Sequence, residues 1–296
     1  MRPRTCQGAH GIPVTYRVVA DPGAGPRTLV LAGGLGGSWL VWTRLIRALR
    51  PRLRIVVWDY PGLDDRAAVD RRWPVDVPTL AAHQAAVLDA AGAERAVLAG
   101  WSLGTQVAAE FVRGFPGRAE ALISICGLDG HPFVDDADDE PIAAALGLRA
   151  AVPEAVGWLT ERIDRIERLR AMLRRIERPT RWAKRLGLVD PLADDLLFDA
   201  VVADFISLDP EVYRRYVEAA ANHDASAARP AMTLPVLAVA GERDRLVRPA
   251  RVEEMARALP SAEYLEVRGA THFLPLEYPD LLALRIDEFL SYGLEA

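Results

Sequence analysis

The chain has 296 residues, of which 51% are hydrophobic, and a formal net charge of −5 at pH 7. This length and composition predict a large buried core, built either as one α/β domain with an insertion or as two modest domains. The negative charge argues against a nucleic-acid partner, which normally requires a concentrated positive surface.

Short apolar runs with the length of β-strands recur along the chain, each bounded by Gly, Pro or Asp. They cover residues 12–20, 28–32, 54–58, 95–99, 121–126, 235–240 and 262–267. Helical periodicity fills most of the gaps between them, at residues 39–49, 79–91, 103–115, 249–259 and 279–290. Strands that alternate with helices predict an α/β fold with a mostly parallel sheet covered by helices on both faces.

The alternation of strands and helices stops after Gly127, just past the strand that ends near Cys126, and resumes near Leu234. The residues between these points have helical character throughout. Because this insertion interrupts a parallel sheet, the sequence predicts two parts of the fold. We expect a core made of residues 1–128 and 230–296, and a helical lid, or cap, made of residues 129–229.

The predicted lid holds several helical patterns. Apolar residues recur at steps of three and four over residues 156–176, and Asp-Pro opens further helices at 191–206 and 210–221. The arginines of residues 162–185 are interleaved with Glu and Asp, which favours a solvated helix face over an anion-binding surface. We expect most aromatic residues of the lid to fill its own core, and His131 and Asp129 at its entry to face the site.

A candidate nucleophile stands in the sequence Gly-Trp-Ser-Leu-Gly at residues 100–104. The pentapeptide lies between the strand predicted at 95–99 and the helical pattern that follows it. A sharp strand-to-helix turn lifts the hydroxyl of such a serine clear of the sheet, and glycines leave room for the two chains to pass closely. Ser102 is therefore the predicted nucleophile, whereas the same pattern without this context is commonly an ordinary turn.

A serine nucleophile needs a base, and histidine suits this task because its unperturbed pKa of roughly 6.5 lies near the working pH. Among the five histidines, His272 follows the last predicted strand, at the same sheet edge as Ser102. A carboxylate must orient its second ring nitrogen. Asp244 follows the preceding strand at that edge and is the preferred acid, with Asp129 and Glu242 as rivals.

A tetrahedral intermediate also needs backbone donors for its oxyanion. We expect these from the N–H groups of Leu103, directly after the nucleophile, and of Leu35, in the glycine-rich loop 33–38. The same loop partly matches a dinucleotide-binding turn. However, Trp39 stands where the third glycine is required, and no Gly-Lys-Ser/Thr follows. No nucleotide is therefore expected, and a mechanism that uses a serine nucleophile, a histidine base and an orienting carboxylate implies no metal or organic cofactor.

Cysteine usage and hydropathy indicate the cellular setting. Cys6 and Cys126 stand far apart and form neither a metal-ligand pair nor a redox motif, as in a disulfide-free cytosolic protein. No apolar run approaches the roughly 18 residues that a membrane span needs, and no apolar secretion signal follows residues 1–5. We expect a cytoplasmic protein without a membrane partner, and the sequence indicates no particular oligomeric state.

These motifs together resemble those of the α/β-hydrolase fold superfamily, and specifically of its lid-bearing serine hydrolases. The resemblance covers the predicted core on both sides of the lid. It rests on the loop 33–38, Trp-Asp-Tyr-Pro-Gly at 58–62, the turn at 100–104, the acid segment 235–244 and Gly-Ala-Thr-His-Phe at 269–273. The chain order Ser, Asp, His is also the order of that fold. The pentapeptide itself is similar to the turn of the pimeloyl-carrier-protein methyl ester esterases.

The resemblance implies hydrolysis of a carboxylic ester or thioester through an acyl-enzyme, with Ser102 as nucleophile, His272 as base and Asp244 orienting His272. The expected partner is a small-molecule substrate with a largely apolar acyl group. Two alternatives use the same fold. One is hydrolysis of a carbon–carbon bond in a vinylogous diketone by the same three residues, and the other is a non-catalytic receptor for a small molecule.

Overall fold

The computed structural model of the chain describes residues 1–20, 27–63, 72–131, 168 and 170–292. Within these ranges, eight strands form one sheet. They are β1 (Arg4–Gln7), β2 (Pro13–Val19), β3 (Thr28–Ala32), β4 (Arg54–Trp58), β5 (Ala96–Trp101), β6 (Ala119–Ile125), β7 (Val236–Gly241) and β8 (Ala262–Val267). The sheet order is β1-β2-β4-β3-β5-β6-β7-β8.

Strands β3 to β8 run parallel, whereas β1 and β2 are antiparallel to their neighbours. The predicted, mostly parallel sheet is therefore confirmed. The sequence pattern does not predict β1, because its four residues are largely exposed and carry no apolar pattern. Because β3 to β8 run parallel, their carboxyl ends lie along one edge of the sheet, where functional side chains are normally found in α/β sheets.

Helices cover both faces of this sheet. In the described residues, the helices with defined bounds are α1 (Thr43–Leu49), α2 (Val77–Ala90), α3 (Leu103–Gly114), α4 (Pro179–Arg185), α5 (Asp195–Ser207), α6 (Pro210–Asn222), α7 (Pro249–Arg257), α8 (Leu274–Glu277) and α9 (Pro279–Tyr292). Helices α2, α3 and α7 belong to one buried apolar cluster, and α1 and α9 belong to a second cluster on the opposite face. In the part of the chain that the structure describes, no helix is long and apolar enough to cross a membrane.

The described part of the insertion between β6 and β7 contains α4, α5 and α6. Helix α6 begins at the Asp-Pro that predicts it, because the carboxylate of Asp209 accepts backbone N–H groups of the first turn. Helix α5 begins later than the predicted residue 191, since Asp194 caps it in the same way. Most of the long helix predicted over 156–176 lies outside the described residues. The division of the chain into a core and a lid stays a prediction.

His83 on α2 is a buried histidine that ties the helix to the N-terminal hairpin. Only 1% of the residue is exposed. Its Nδ1 accepts the backbone N–H of Ala9 at 3.0 Å. Burial is the main reason that the pKa of His83 falls from 6.5 to about 4. The folded protein therefore keeps this imidazole neutral at pH values where the unfolded chain binds a proton.

We expect the free energy of unfolding to decrease between pH 6.5 and 4 on account of His83, by at most about 3 kcal/mol. The sign follows because the unfolded state binds more protons than the folded state over that interval. Urea unfolding at several pH values measures the effect. His83→Gln, which keeps an acceptor, should lose this part of the pH dependence, whereas replacing the exposed His10 with Gln should retain most of it. Equal pH profiles for wild type and His83→Gln would contradict the prediction.

Candidate active site

Ser102 lies in the sharp turn between β5 and α3. Its φ of 56° and ψ of −117° are unusual for a residue other than glycine. The backbone N–H of Ser102 donates to the carbonyl of Ile125 at 3.0 Å, and its carbonyl accepts the N–H of Thr105 at 2.9 Å. These bonds hold the strained conformation in place, so that the serine stands at the carboxyl end of the strand.

Two glycines allow the chains to pass at this turn. A Cβ atom on Gly100 would lie 2.1 Å from the carbonyl oxygen of Gly104. A Cβ on Gly104 would lie 2.2 Å from the carbonyl oxygen of Ala32. Because both neighbours are backbone atoms, neither contact can be relieved by the rotation of a side chain.

We expect Gly104→Ala to lower the free energy of unfolding by about 3 kcal/mol or more, since the methyl group would force β3 and α3 apart. Gly114→Ala is the matched control, because it lies in the same helix and its Cβ would meet nothing within 4 Å. That control should change stability by less than about 1 kcal/mol. Urea unfolding of both variants measures the difference. Equal stabilities would contradict the close approach of Gly104 to the backbone of Ala32.

His272 and Asp244 form a hydrogen-bonded pair next to the turn. Nδ1 of His272 lies 2.8 Å from Oδ2 of Asp244, and the two residues are 7% and 4% exposed. The other carboxylate oxygen accepts the backbone N–H groups of Leu246 and Val247 at 2.8 and 2.9 Å. These bonds fix the carboxylate in one orientation. Because Nδ1 is engaged, Nε2 is the ring nitrogen of His272 that remains for proton transfer.

The two rival acids are engaged elsewhere. Asp129 forms a bidentate ion pair with Arg229, at 2.7 and 2.6 Å, which joins the start of the insertion to its end. Glu242 accepts a backbone N–H from the loop after β8 at 2.7 Å. His131, which was expected to face the site, instead has its Nδ1 3.0 Å from the carbonyl oxygen of Ala221.

The glycine-rich loop between β3 and α1 passes beside the serine. A Cβ on Gly34 would lie 3.1 Å from the Cβ of Ser102. Leu103 opens α3, so its backbone N–H has no acceptor within the helix. Among the described residues, no acceptor is bonded to the N–H of Leu103 or of Leu35. The two expected oxyanion donors are therefore unused by the fold itself.

Trp101, inside the pentapeptide, connects the loops that surround Ser102. Its Nε1–H donates to the backbone carbonyl of His272 at 2.8 Å, and the centroids of the two rings are 5.6 Å apart. A Cβ on Gly34 or Gly37 would meet the same indole at 2.9 or 2.6 Å. No role for Trp101 is predicted from the sequence, although its position directly before the serine is a signal that points to one.

Aromatic residues of the insertion contact the loops of the site. The ring of Phe198 packs edge-on against Phe273, with centroids 5.0 Å apart. A Cβ on Gly36 would lie 2.5 Å from the ring of Phe205 and 3.3 Å from that of Tyr213. Phe198 and Phe205 each pack against a loop that follows a strand of the sheet, and Phe205 also contacts Tyr213 within the insertion.

Cys126 is buried close to Asp244 and packs behind the pair. It is 0% exposed, and burial, followed by the neighbouring charge of Asp244, raises the pKa of the thiol well above its usual value. A buried, protonated thiol is a poor nucleophile, so Cys126 does not compete with Ser102. Within the described ranges, no three or more His, Cys, Asp and Glu side chains are grouped so that they could hold a metal ion.

A family model described as alpha/beta hydrolase fold matches residues 27–279. The chain is 30% identical over 275 residues to the polyketide synthase ThaQ of Burkholderia thailandensis, covering 93% of this chain and 12% of the synthase. It is 27% identical over 269 residues to the pimeloyl-[acyl-carrier protein] methyl ester esterase of Aeromonas hydrophila, covering 91% of this chain and 97% of the esterase. The chain thus spans a small part of the first relative and nearly all of the second.

Solved structures share the fold at low sequence identity. The enol-lactonase from Burkholderia xenovorans LB400 superposes with a TM-score of 0.73 at 19% identity, and the match covers 97% of this chain and 100% of the lactonase. A thermophilic esterase from Thermogutta terrifontis gives a TM-score of 0.72 at 20% identity, with 100% of both chains covered. At these sequence identities, both likenesses show a shared fold.

Proposed function

The chain belongs to the α/β hydrolase fold family, and we propose that it is a serine hydrolase that cleaves a carboxylic ester or thioester of a small, largely apolar acyl substrate. One observation carries the proposal. The hydrogen-bonded pair of His272 and Asp244 contacts Trp101 through His272, and Trp101 directly precedes a serine that is held in a strained strand-to-helix turn. The relative from Aeromonas hydrophila, aligned over 91% of this chain, is named as a methyl ester esterase and supports the same reaction class.

In the proposed reaction, the hydroxyl of Ser102 attacks the carbonyl carbon of the substrate while Nε2 of His272 accepts its proton. Asp244 holds the imidazole in the tautomer that leaves Nε2 free, and it stabilises the imidazolium. When the tetrahedral intermediate collapses, His272 returns the proton to the departing alcohol or thiol. A water molecule then attacks the acyl-enzyme by the same steps, which releases the acid and restores Ser102.

Charge develops on the carbonyl oxygen in both tetrahedral intermediates. We assign its two donors to the backbone N–H groups of Leu35 and Leu103, for which the described residues supply no other acceptor. Loss of one such donor costs roughly 2.7–4 kcal/mol of transition-state stabilisation in a characterised enzyme. Donors of this kind act best in a site from which water is excluded.

We assign this exclusion to the insertion at 129–229, acting as a lid. Phe205 lies against Gly36 of the oxyanion loop, so an apolar ring covers the edge of the site. The indole of Trp101 and the ring of Phe273 add apolar surface on the side of His272. An acyl group bound there would be surrounded by aromatic carbon, which favours apolar acyl chains over charged ones.

Covalent labelling combined with turnover tests this function. A fluorophosphonate should label Ser102, as located by peptide mass spectrometry, and short p-nitrophenyl esters should be hydrolysed with a burst of p-nitrophenol equal to the enzyme concentration. Hydrolysis of a vinylogous diketone without ester hydrolysis would overturn the choice of bond. Absence of both labelling and turnover would overturn the assignment as an enzyme and favour a receptor.

A further inference from the structure

A buried carboxylate lies directly behind the loop that carries His272. Glu277 ends α8 and is 3% exposed. Its Oε2 accepts the backbone N–H of Thr271 at 2.7 Å, and its Oε1 accepts the hydroxyl of Thr271 at 2.5 Å. Because Thr271 immediately precedes His272, these two bonds fix the backbone from which the imidazole extends.

The same carboxylate reaches the insertion. Oε1 of Glu277 accepts the backbone N–H of Asp190 at 2.8 Å, across 87 positions of sequence. Asp190 lies between α4 and α5, and its own carboxylate is 4.0 Å from the guanidinium of Arg243. The backbone N–H of Arg243, which stands next to Asp244, donates to the carbonyl of Ala270 at 2.8 Å. The insertion, the acid loop and the histidine loop therefore meet around Glu277.

Packing alone does not explain why a carboxylate, and not an apolar side chain, occupies this buried position. Burial is the largest influence on Glu277 and raises its pKa, while its three hydrogen bonds act in the opposite direction. A buried charged group is unfavourable unless donors converge on it. Three donors do converge here, and two of them are backbone N–H groups that an apolar side chain would leave unsatisfied. The group thus suits the task of holding two chain segments together.

We propose that Glu277 is a positioning residue for His272, and that it links the placement of the insertion to the orientation of the base. It acts through Thr271 on one side and Asp190 on the other, and it does not touch the reacting atoms. A shift of the insertion at Asp190 would be passed through this carboxylate to the backbone beside His272. This inference rests on the proposed function, in which His272 must aim Nε2 at Ser102.

Glu277→Gln is the test, because it keeps the shape of the side chain but turns one acceptor oxygen into a donor that faces another donor. We expect kcat for p-nitrophenyl esters to fall roughly 10- to 100-fold, with KM changed less than about threefold. The rate of fluorophosphonate labelling of Ser102 should fall by the same factor. The downfield proton resonance of the bond between His272 Nδ1 and Asp244 should move, which a loss of stability alone would not produce.

Glu110→Gln is the matched control. Glu110 is equally buried, with 3% exposed, but it pairs with Arg113 near the end of α3, away from the site. This variant should leave kcat and the downfield resonance unchanged even if it unfolds at lower temperature. An unchanged kcat and resonance in Glu277→Gln, or an equal loss of kcat in Glu110→Gln, would overturn the proposal.

Thr271→Val is the second variant, should Glu277→Gln fail to fold. It removes the hydroxyl that bonds Oε1 and retains the backbone N–H, so kcat should fall roughly 2- to 10-fold with the same shift of the resonance. An unmoved resonance and an unchanged kcat in Thr271→Val would also overturn the proposal. If the wild-type protein neither hydrolyses esters nor reacts with the fluorophosphonate, the proposed function fails. The resonance, compared between the Glu277 and Glu110 variants, still reports on the positioning role.

Discussion

Replacing Ser102 with alanine is expected to abolish the hydrolysis of short p-nitrophenyl esters. Without the hydroxyl, no acyl-enzyme forms, and neither His272 nor the oxyanion donors can replace the missing nucleophile. Loss of a nucleophile that works with a histidine costs on the order of 10⁶ in kcat in a characterised serine protease. Steady-state assays measure the rate, and the fluorophosphonate label should be absent from the variant.

The variant should remain folded, because the strained backbone conformation at this position is about as unfavourable for alanine as for serine, and the substitution removes only one oxygen atom. Ser207→Ala is a suitable control. Ser207 ends α5 on the surface, where its hydroxyl donates to the carbonyl of Asp204 at 2.7 Å. That variant should retain wild-type kcat. If Ser102→Ala keeps its turnover while folded, Ser102 is not the nucleophile and the proposed mechanism is wrong.

The strands that were easiest to predict are those buried on both faces. Every residue of β3 is buried, so it appears in the sequence as an unbroken apolar run, and its observed bounds equal the predicted ones. Strand β1 is the opposite case. It is an exposed edge strand of four residues, and it exists because it pairs with β2 and not because of its own side chains. Pairing of this kind leaves no periodic signal in the sequence.

The residues of the candidate site divide in a similar way. Ser102, Asp244 and His272 each follow a strand of the sheet. Because parallel strands bring such positions to one edge, the order of the predicted strands was enough to predict that the three residues lie along that edge. The sequence favours Asp244 over Asp129 as the acid, and the structure adds that Asp244 is the one bonded to His272. Asp129 is bound by Arg229, which is 100 positions away, and nothing in the sequence marks that pairing.

The contacts of Trp101 and Glu277 were not predicted from the sequence, for a different physical reason. Each acts on backbone groups: the indole of Trp101 bonds the carbonyl of His272, and Glu277 bonds the N–H groups of Thr271 and Asp190. Every residue except proline offers a backbone N–H, and every residue offers a carbonyl, so the partner sequence contains no complementary motif. Such contacts are determined by the path of the chain.

Asp244→Asn is expected to lower kcat for p-nitrophenyl esters by on the order of 10⁴, with a smaller change in KM. The amide would donate to Nδ1 or would fail to stabilise the imidazolium, and either result leaves His272 poorly suited to accept the proton of Ser102. The fold should tolerate the change, because an amide oxygen can still accept the backbone N–H groups of Leu246 and Val247. Single-turnover kinetics with a burst substrate would locate the loss in the acylation step.

Asp129→Asn supplies the contrast that decides between the two acids. Removing the charge from the bidentate pair with Arg229 should lower the free energy of unfolding by roughly 1–3 kcal/mol, since a charged donor loses its partner. kcat should stay within about threefold of the wild type, because Asp129 makes its contacts at the ends of the insertion. If Asp129→Asn instead loses as much kcat as Asp244→Asn, Asp129 also takes part in the reaction, and the assignment of Asp244 as the acid that alone serves His272 is wrong.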